Sequence, residues 1–436
     1  YYYQIKTRNV KKFLFSVLLL YGGLLMLHAQ QRDLDFYLEQ AMENSPLIHQ
    51  AKNDSRIILL DLEQMKRILF KPEINVISGF TLSPIISRDQ TTKFNLVSEG
   101  AVNYIGHDLA LTDGGQYQAM LSFRQPLLTG SKYKVFANKA DISGKIIDNN
   151  IALTIHELRQ VVSYQYLLCL NSLKESENTL SLIRKLEEQY RVMVKLVENA
   201  VYKQTDLMLM QIELDNYTLE YKTYRAGYAA NLYDLNLICG ISDTAIVELR
   251  DTDIAMRPEI AGKSAFLTGF ILDSLTILAE QAVNELKYKP QLDFVTDAGL
   301  NATYLPYPKR LGLGFGLALT WNIFDGHQRD IQRQKSAIGL ETLEYRKNNF
   351  MLQNQINKNK ILNQLHSVTE RISLKENQAE QYKRLYEAYV KELSLGEASV
   401  MDFKNLMKDI SALNHELLQL KTEKQFLINS YNYFNY

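Results

Sequence analysis

From Leu311 to Ile323 the chain alternates without a break. Leu311, Leu313, Phe315, Leu317, Leu319, Trp321 and Ile323 fill the odd positions, and Gly312, Gly314, Gly316, Ala318, Thr320 and Asn322 fill the even ones. A period of two is the mark of a β-strand with two unlike faces. One face is wholly apolar and must be covered, by helices in a soluble sheet or by lipid in a membrane. Thirteen residues at ~3.3 Å each reach about 43 Å, enough to cross a ~30 Å hydrocarbon layer at a tilt of about 45°. The opposite face is small and polar, as a watery lumen requires. Trp321 and Phe324 stand near one strand end, and Tyr304 and Tyr307 near the other, where interfacial aromatics belong. Lipid is the better cover.

This strand interrupts a chain that otherwise reads as long helix. The eight prolines, at 46, 72, 84, 126, 258, 290, 306 and 308, leave 127–257 and 309–436 free of helix breakers. Within those stretches apolar residues step by three and four. One seam runs Ile183, Leu186, Tyr190, Met193, Val197. A second runs Leu207, Met210, Leu214, Tyr217, Tyr221, Tyr224, Tyr228, and a third Phe403, Leu406, Ile410, Leu413, Leu417, Leu420. The last two coincide after a shift of 196 residues, which also carries Gly130 to Gly326, Ala200 to Gly396 and Asp206 to Asp402. The spacing predicts an internal duplication in which each half holds a helix, a β-hairpin and two long helices. Repeat one spans 30–240 with its hairpin in 72–128. A linker follows in 241–263, and repeat two spans 264–436 with its hairpin in 290–324.

Four strands cannot close a barrel, and open edges in hydrocarbon leave backbone groups without partners. The chain is therefore expected to associate with copies of itself, three of which would supply twelve strands. The helices are too polar to follow. Ser131 to Asn199 alone would extend roughly 100 Å into the aqueous space on one side. Beyond the N-terminus no segment is read as a spanning helix.

Lys6, Arg8, Lys11 and Lys12 precede the apolar run Phe13–Leu27 and "HAQ", the order of a secretory signal peptide over 1–29, cut after Ala29. Cys169 and Cys239 sit in apolar helical patterns without metal or redox spacing, so two buried thiols are the expected state. Lys plus Arg balance Asp plus Glu at 49 each, which gives no field for nucleic acid. "RPEIAGKS" (257–264) has Arg257 where a phosphate-binding loop needs its first Gly. "GLGFG" has Leu317 where a dinucleotide loop needs its third. The seven His show no metal spacing. Neither a catalytic site, a cofactor nor a metal is expected.

"QPLLTGSKYKV" (125–135) and "WNIFDGHQRDI" (321–331) resemble the paired strand-to-helix junctions of the TolC family of outer-membrane efflux proteins, with Pro126, Gly130, Phe324, Asp325 and Gly326 at the matching places. "LEQAMENSPLIHQAK" (38–52) is similar to that family's first helix, and "LGEASVMDFKNLMKDI" (395–410) to its helix–turn–helix tip. The resemblance covers essentially the whole mature chain. It implies a mainly α protein with a membrane β contribution: a trimer sharing a twelve-stranded barrel, continued by a twelve-helix periplasmic tunnel. It also implies an outer-membrane location in a Gram-negative cell, contact with outer-membrane lipid, and a passive exit duct for efflux or type I secretion. The implied partners are a periplasmic adaptor and an inner-membrane transporter of RND, ABC or MFS type. Ala200, Asp206, Gly396 and Asp402 match the tip turns where the adaptor docks. Better-known members close the tunnel with a Tyr three before the second Gly, an Arg two after it and an Asp nine after it. Those positions are Leu393, Ala398 and Asn405 here, so closure is expected to rest on apolar contacts with Leu393 as a candidate. The rival reading is an exported periplasmic scaffold or adaptor with a small soluble β domain.

Overall fold

The computed structural model describes residues 32–82, 86–87, 104–105, 115–258, 264–302 and 311–436. The signal-peptide reading, Tyr304 and Tyr307 lie outside these residues. The chain is ordered as α1 (Leu34–Asn44), α2 (Pro46–Phe70), β1 (Glu73–Leu82), β2 (Ile86–Ser87), β3 (Tyr104–Ile105), β4 (Gly115–Leu127), α3 (Gly130–Glu198) and α4 (Gln204–Ile238). Then come α5 (Ala265–Glu285), β5 (Gln291–Ala302), β6 (Gly312–Thr320), α6 (Gln328–Leu395) and α7 (Val400–Phe434). The proline-free stretches hold the two long helices of each repeat, 69 and 35 residues in the first and 68 and 35 in the second. The short ladder between β2 and β3 was not legible in the sequence.

Two compact units form, and each draws on both repeats. One comprises residues up to 50 with 150–266 and 348–436. The other comprises 51–149 with 267–347. In the first unit, Tyr37, Leu38 and Ala41 of α1 pack with Val162, Tyr166, Cys169 and Leu170 of α3 and with Tyr228, Leu232 and Leu235 of α4. Cys169 and Cys239 are buried here as free thiols, and burial pushes both up to about 12, well above the usual thiol range. Residues 241–258 run as an extended strap over this unit, with no regular secondary structure. Its backbone groups are met by side chains: Asn236 donates to Asp243 O (2.9 Å), Asn432 to Ala255 O (2.9 Å) and Asn435 to Pro258 O (2.8 Å). Asn236 and Asn432 stand 196 residues apart, so the duplicated pair holds both ends of the strap. Unmet polar groups beside buried helices would each cost on the order of 1–3 kcal/mol, which the asparagines avert.

The second unit holds an antiparallel four-stranded sheet in the order β1-β4-β5-β6. Each repeat supplies a hairpin, β1 with β4 and β5 with β6, and β4 joins β5 to merge them. β6 spans nine residues rather than thirteen. Its ladder stops at Thr320 because the partner there is Gln291, preceded by Pro290, which has no N–H to give. Nine residues still suit a tilted membrane strand. The expectation of no spanning-length helix needs correction: Ala265–Tyr288, 24 residues, is long and apolar enough by length and composition. Asp273, Glu280, Glu285 and Lys287 interrupt the run, yet they are spaced widely enough to leave an apolar remainder.

Candidate functional site

The sheet sorts its residues by face with few exceptions. Register places Leu313, Phe315, Leu317 and Leu319 of β6 opposite Ala298, Thr296, Phe294 and Leu292 of β5. These in turn face Leu121, Phe123, Gln125 and Leu127 of β4, and Leu121 and Phe123 face Val76 and Ile74 of β1. Residues directly opposite one another share a face. Apart from Thr296 and Gln125 this face is apolar across all four strands, and it is open. Leu313, Phe315, Leu317 and Leu319 are 67–75% exposed, Leu311 73% and Trp321 56%. The other face carries Asn75, Gln118, Ser122, Arg124, Asp293, Asp297 and Asn301 with the glycines of β6. On it Arg124 donates Nε (3.0 Å) and Nη2 (2.5 Å) to one Asp293 oxygen, and Asp293 is almost fully covered. Among the described residues both edges of the sheet, β1 and β6, have no partner strand.

The junctions from sheet to helix are built differently in the two repeats. Gly326 (φ +72°) and His327 (φ +67°) take the left-handed conformation before α6, whereas Gly130 opens α3 and Leu128 (φ +57°) makes the turn. The 196-residue shift therefore slips by two here, and Leu128 rather than Gly130 is the counterpart of Gly326. In the second junction Asp325 accepts a hydrogen bond from Gln328 N (3.1 Å) and another from the Tyr288 hydroxyl. Trp321 Nε1 donates to Tyr288 O (3.2 Å). Phe324 stays exposed beside the His327 ring, and Pro126 stands opposite Asp293, one residue before the β4 ladder ends at Leu127.

The interhelical turns obey the shift bond by bond. Ala200 N donates to Val197 O and Val201 N to Leu196 O. Gly396 N donates to Leu393 O and Glu397 N to Glu392 O. This is the paired pattern that closes a helix with a left-handed residue, here Ala200 (φ +60°) and Gly396 (φ +78°). Asp206 accepts from Lys203 N (3.0 Å) and caps α4, while Asp402 lies exposed in the first turn of α7. The two turns are brought together. Tyr202 Oη lies 2.7 Å from Ala398 O and 3.3 Å from Leu393 O. A Cβ on Gly396 would sit 2.6 Å from Val201 Cγ1.

Leu393, expected to help close a passage, is fully buried with Ala398, Val400, Phe403 and Met407 against Leu182, Ile183 and Leu186 of α3. In this conformation it is core, because the two helical hairpins pack through that seam. Asn405 is exposed and shares a groove of about 750 Å³ between α6 and α7 with Asp402, Asp409 and Glu416. Tyr202 and the Arg124–Asp293 pair went unread in the sequence. Tyr202 stands 196 residues before Ala398, which was the available signal. Among the described residues no group of three or more His, Cys, Asp or Glu side chains is placed to hold a metal.

The same fold occurs in solved outer-membrane channels. CusC matches at a TM-score of 0.67 with 11% identity, over 93% of this chain and 92% of that one. VceC from Vibrio cholerae matches at 0.65 with 12% identity, over 92% and 95%. The open state of the Neisseria gonorrhoeae MtrE channel matches at 0.64 with 11% identity, over 92% and 88%. No protein-family model matches the sequence, and neither does any curated protein.

Proposed function

We propose that this chain is one protomer of a trimeric outer-membrane channel, a passive exit duct in a Gram-negative envelope with its helices in the periplasm. The observation that carries the reading is the open sheet itself. Four strands share one exposed, mainly apolar face, one mainly polar face and, among the described residues, two unpaired edges. In water the apolar face is unfavourable at roughly 25 cal/mol per Å², and in lipid the free edges are worse. Copies that pair β6 with β1 of the next remove both costs, and three give twelve strands. The fold shared with the channels supports this reading. A duct needs no catalytic group, and the transport energy comes from an inner-membrane transporter of RND, ABC or MFS type through a periplasmic adaptor. The adaptor meets the paired turns at Ala200–Asp206 and Gly396–Asp402. With Leu393 buried in the protomer, closure falls to other contacts between copies. A periplasmic scaffold would need a cover over β6, which is exposed along its whole length.

Reconstitution tests the reading. The purified chain should run as a trimer in mild detergent and conduct in planar bilayers. Leu317→Arg should impair assembly at about 2–4 kcal/mol per copy near the bilayer midplane, while Gly314→Ser on the other face is tolerated. A monomer that stays soluble without detergent, or equal tolerance of both changes, would refute it.

A further inference from the structure

Where α5 ends and α6 begins, a small cavity of about 190 Å³ opens beside the sheet, lined among others by Glu285, Lys287, Tyr288, Arg329, Arg333 and Lys335. Glu285 is a shared anchor: one oxygen accepts Arg329 Nε (2.8 Å) and Nη2 (2.5 Å), and the other accepts Arg333 Nε (2.7 Å). The two guanidiniums pull its carboxyl down to about 2. One anion thus fixes two cations, and Arg333 keeps both Nη groups for another acceptor. Lys287 and Lys335 are exposed and have no ion-pair partner among the described residues. The cavity lining carries four positive charges against one negative. The nearby carboxylates are otherwise engaged: Asp325 holds Tyr288 and Gln328, and Asp330 faces His327 at 3.5 Å.

The cavity adjoins the apolar face. Trp321, which continues the odd-numbered apolar series of β6, is hydrogen-bonded to the backbone of Tyr288 in the cavity wall, and Arg329 lies over the Tyr288 ring at 5.0 Å. Ile323 and Phe324, which follow Trp321 closely in the chain, are 79% and 75% exposed. An apolar band that ends in an indole and passes directly into a cationic pocket fits a molecule with the same division, acyl chains joined to a phosphate. We infer that this junction binds the headgroup of an anionic phospholipid of the periplasmic leaflet. Arg333 and the two lysines take the phosphate, and Trp321, Ile323 and Phe324 lie along the upper acyl chains. Planar donors held by Glu285 suit a phosphodiester better than mobile lysines alone. The inference rests on the membrane reading of β6.

Native mass spectrometry of the full chain, released from nanodiscs of mixed phosphatidylglycerol and phosphatidylcholine, tests it. The wild-type protein should retain phosphatidylglycerol preferentially. The doubly substituted Lys287→Gln/Lys335→Gln chain leaves every ion pair of the junction intact and should lose that preference on the order of tenfold. Lys408→Gln, which removes a charge on α7, should not. Retention unchanged in the double variant, or displacement of the lipid by inorganic phosphate alone, would overturn the inference and leave the channel reading standing. A wild-type chain that never enters the nanodisc would sink the membrane reading instead.

Discussion

Gly396→Ala tests whether the two interhelical turns are held as one structure. The new Cβ meets two obstacles. At φ +78° an L-residue pays about 1–2 kcal/mol, of which the stiffer unfolded chain returns about 0.4–1 kcal/mol. The methyl also lands 2.6 Å from Val201 Cγ1, so Val201 must leave its rotamer at about 0.5–1.5 kcal/mol. The sum is about 2 kcal/mol, localised to the turns. A chain this long with two compact units is poorly served by a single melting temperature, so native-state hydrogen exchange is the better assay. The amides of Val201 and Glu397, bonded to Leu196 O at 2.9 Å and Glu392 O at 3.0 Å, report the opening. Both should exchange about thirtyfold faster in the variant. Adding Val201→Ala removes the collision and leaves the dihedral cost, so the double variant should recover roughly fivefold. Ala200→Gly, at φ +60°, should shift exchange the other way by a few-fold at most. If Gly396→Ala accelerates Glu397 alone, or Val201→Ala restores nothing, the turns are not packed as described.

Leu393→Ser should destabilise the seam by about 2–5 kcal/mol, as for other truncations of a fully buried Leu, with increased protease cleavage near residue 395 as the readout. Leaky conductance with undiminished protease resistance would argue that Leu393 faces a passage after all. His156 is buried between the rings of Tyr433 and Tyr436, and burial holds its imidazole below the ordinary 6.5. The unfolded chain then binds more protons, so this contribution is present above about 6.5 and is lost as pH falls through the lower folded value. His156→Phe should therefore flatten the acid side of the stability profile. Glu285, held down to about 2 by Arg333 and Arg329, stabilises above its ordinary 4.5 and loses that as pH falls toward 2. The stability gap between wild type and Glu285→Gln should close over that interval, and a gap independent of pH would mean the pairs contribute nothing.

The sequence by itself determined the long elements and their order, but not the short β2–β3 ladder. Alternation in β6, the three-and-four stepping of Leu207–Tyr228 and Phe403–Leu420, and the 196-residue shift are local patterns, written into neighbouring residues by the geometry of strand and helix. A turn at Gly396 came from the resemblance to the family's tip, and its left-handed φ from the structure. What only the tertiary structure decided was which surface each pattern meets. Leu393 reads as one more apolar residue near a turn, and whether it faces a passage or a core depends on where residues two hundred positions away come to rest. Gly130 and Gly326 look equivalent by spacing. The chain nevertheless turns at Leu128 in one repeat and at Gly326 in the other, because the junctions tolerate a two-residue slip that the packed turns do not. Burial at Leu393 and the pairing of Arg329 and Arg333 on Glu285 are set by contacts across 44 to more than 200 residues of chain. Periodicity encodes which side of an element is apolar; only the closure of distant segments fixes what that side touches.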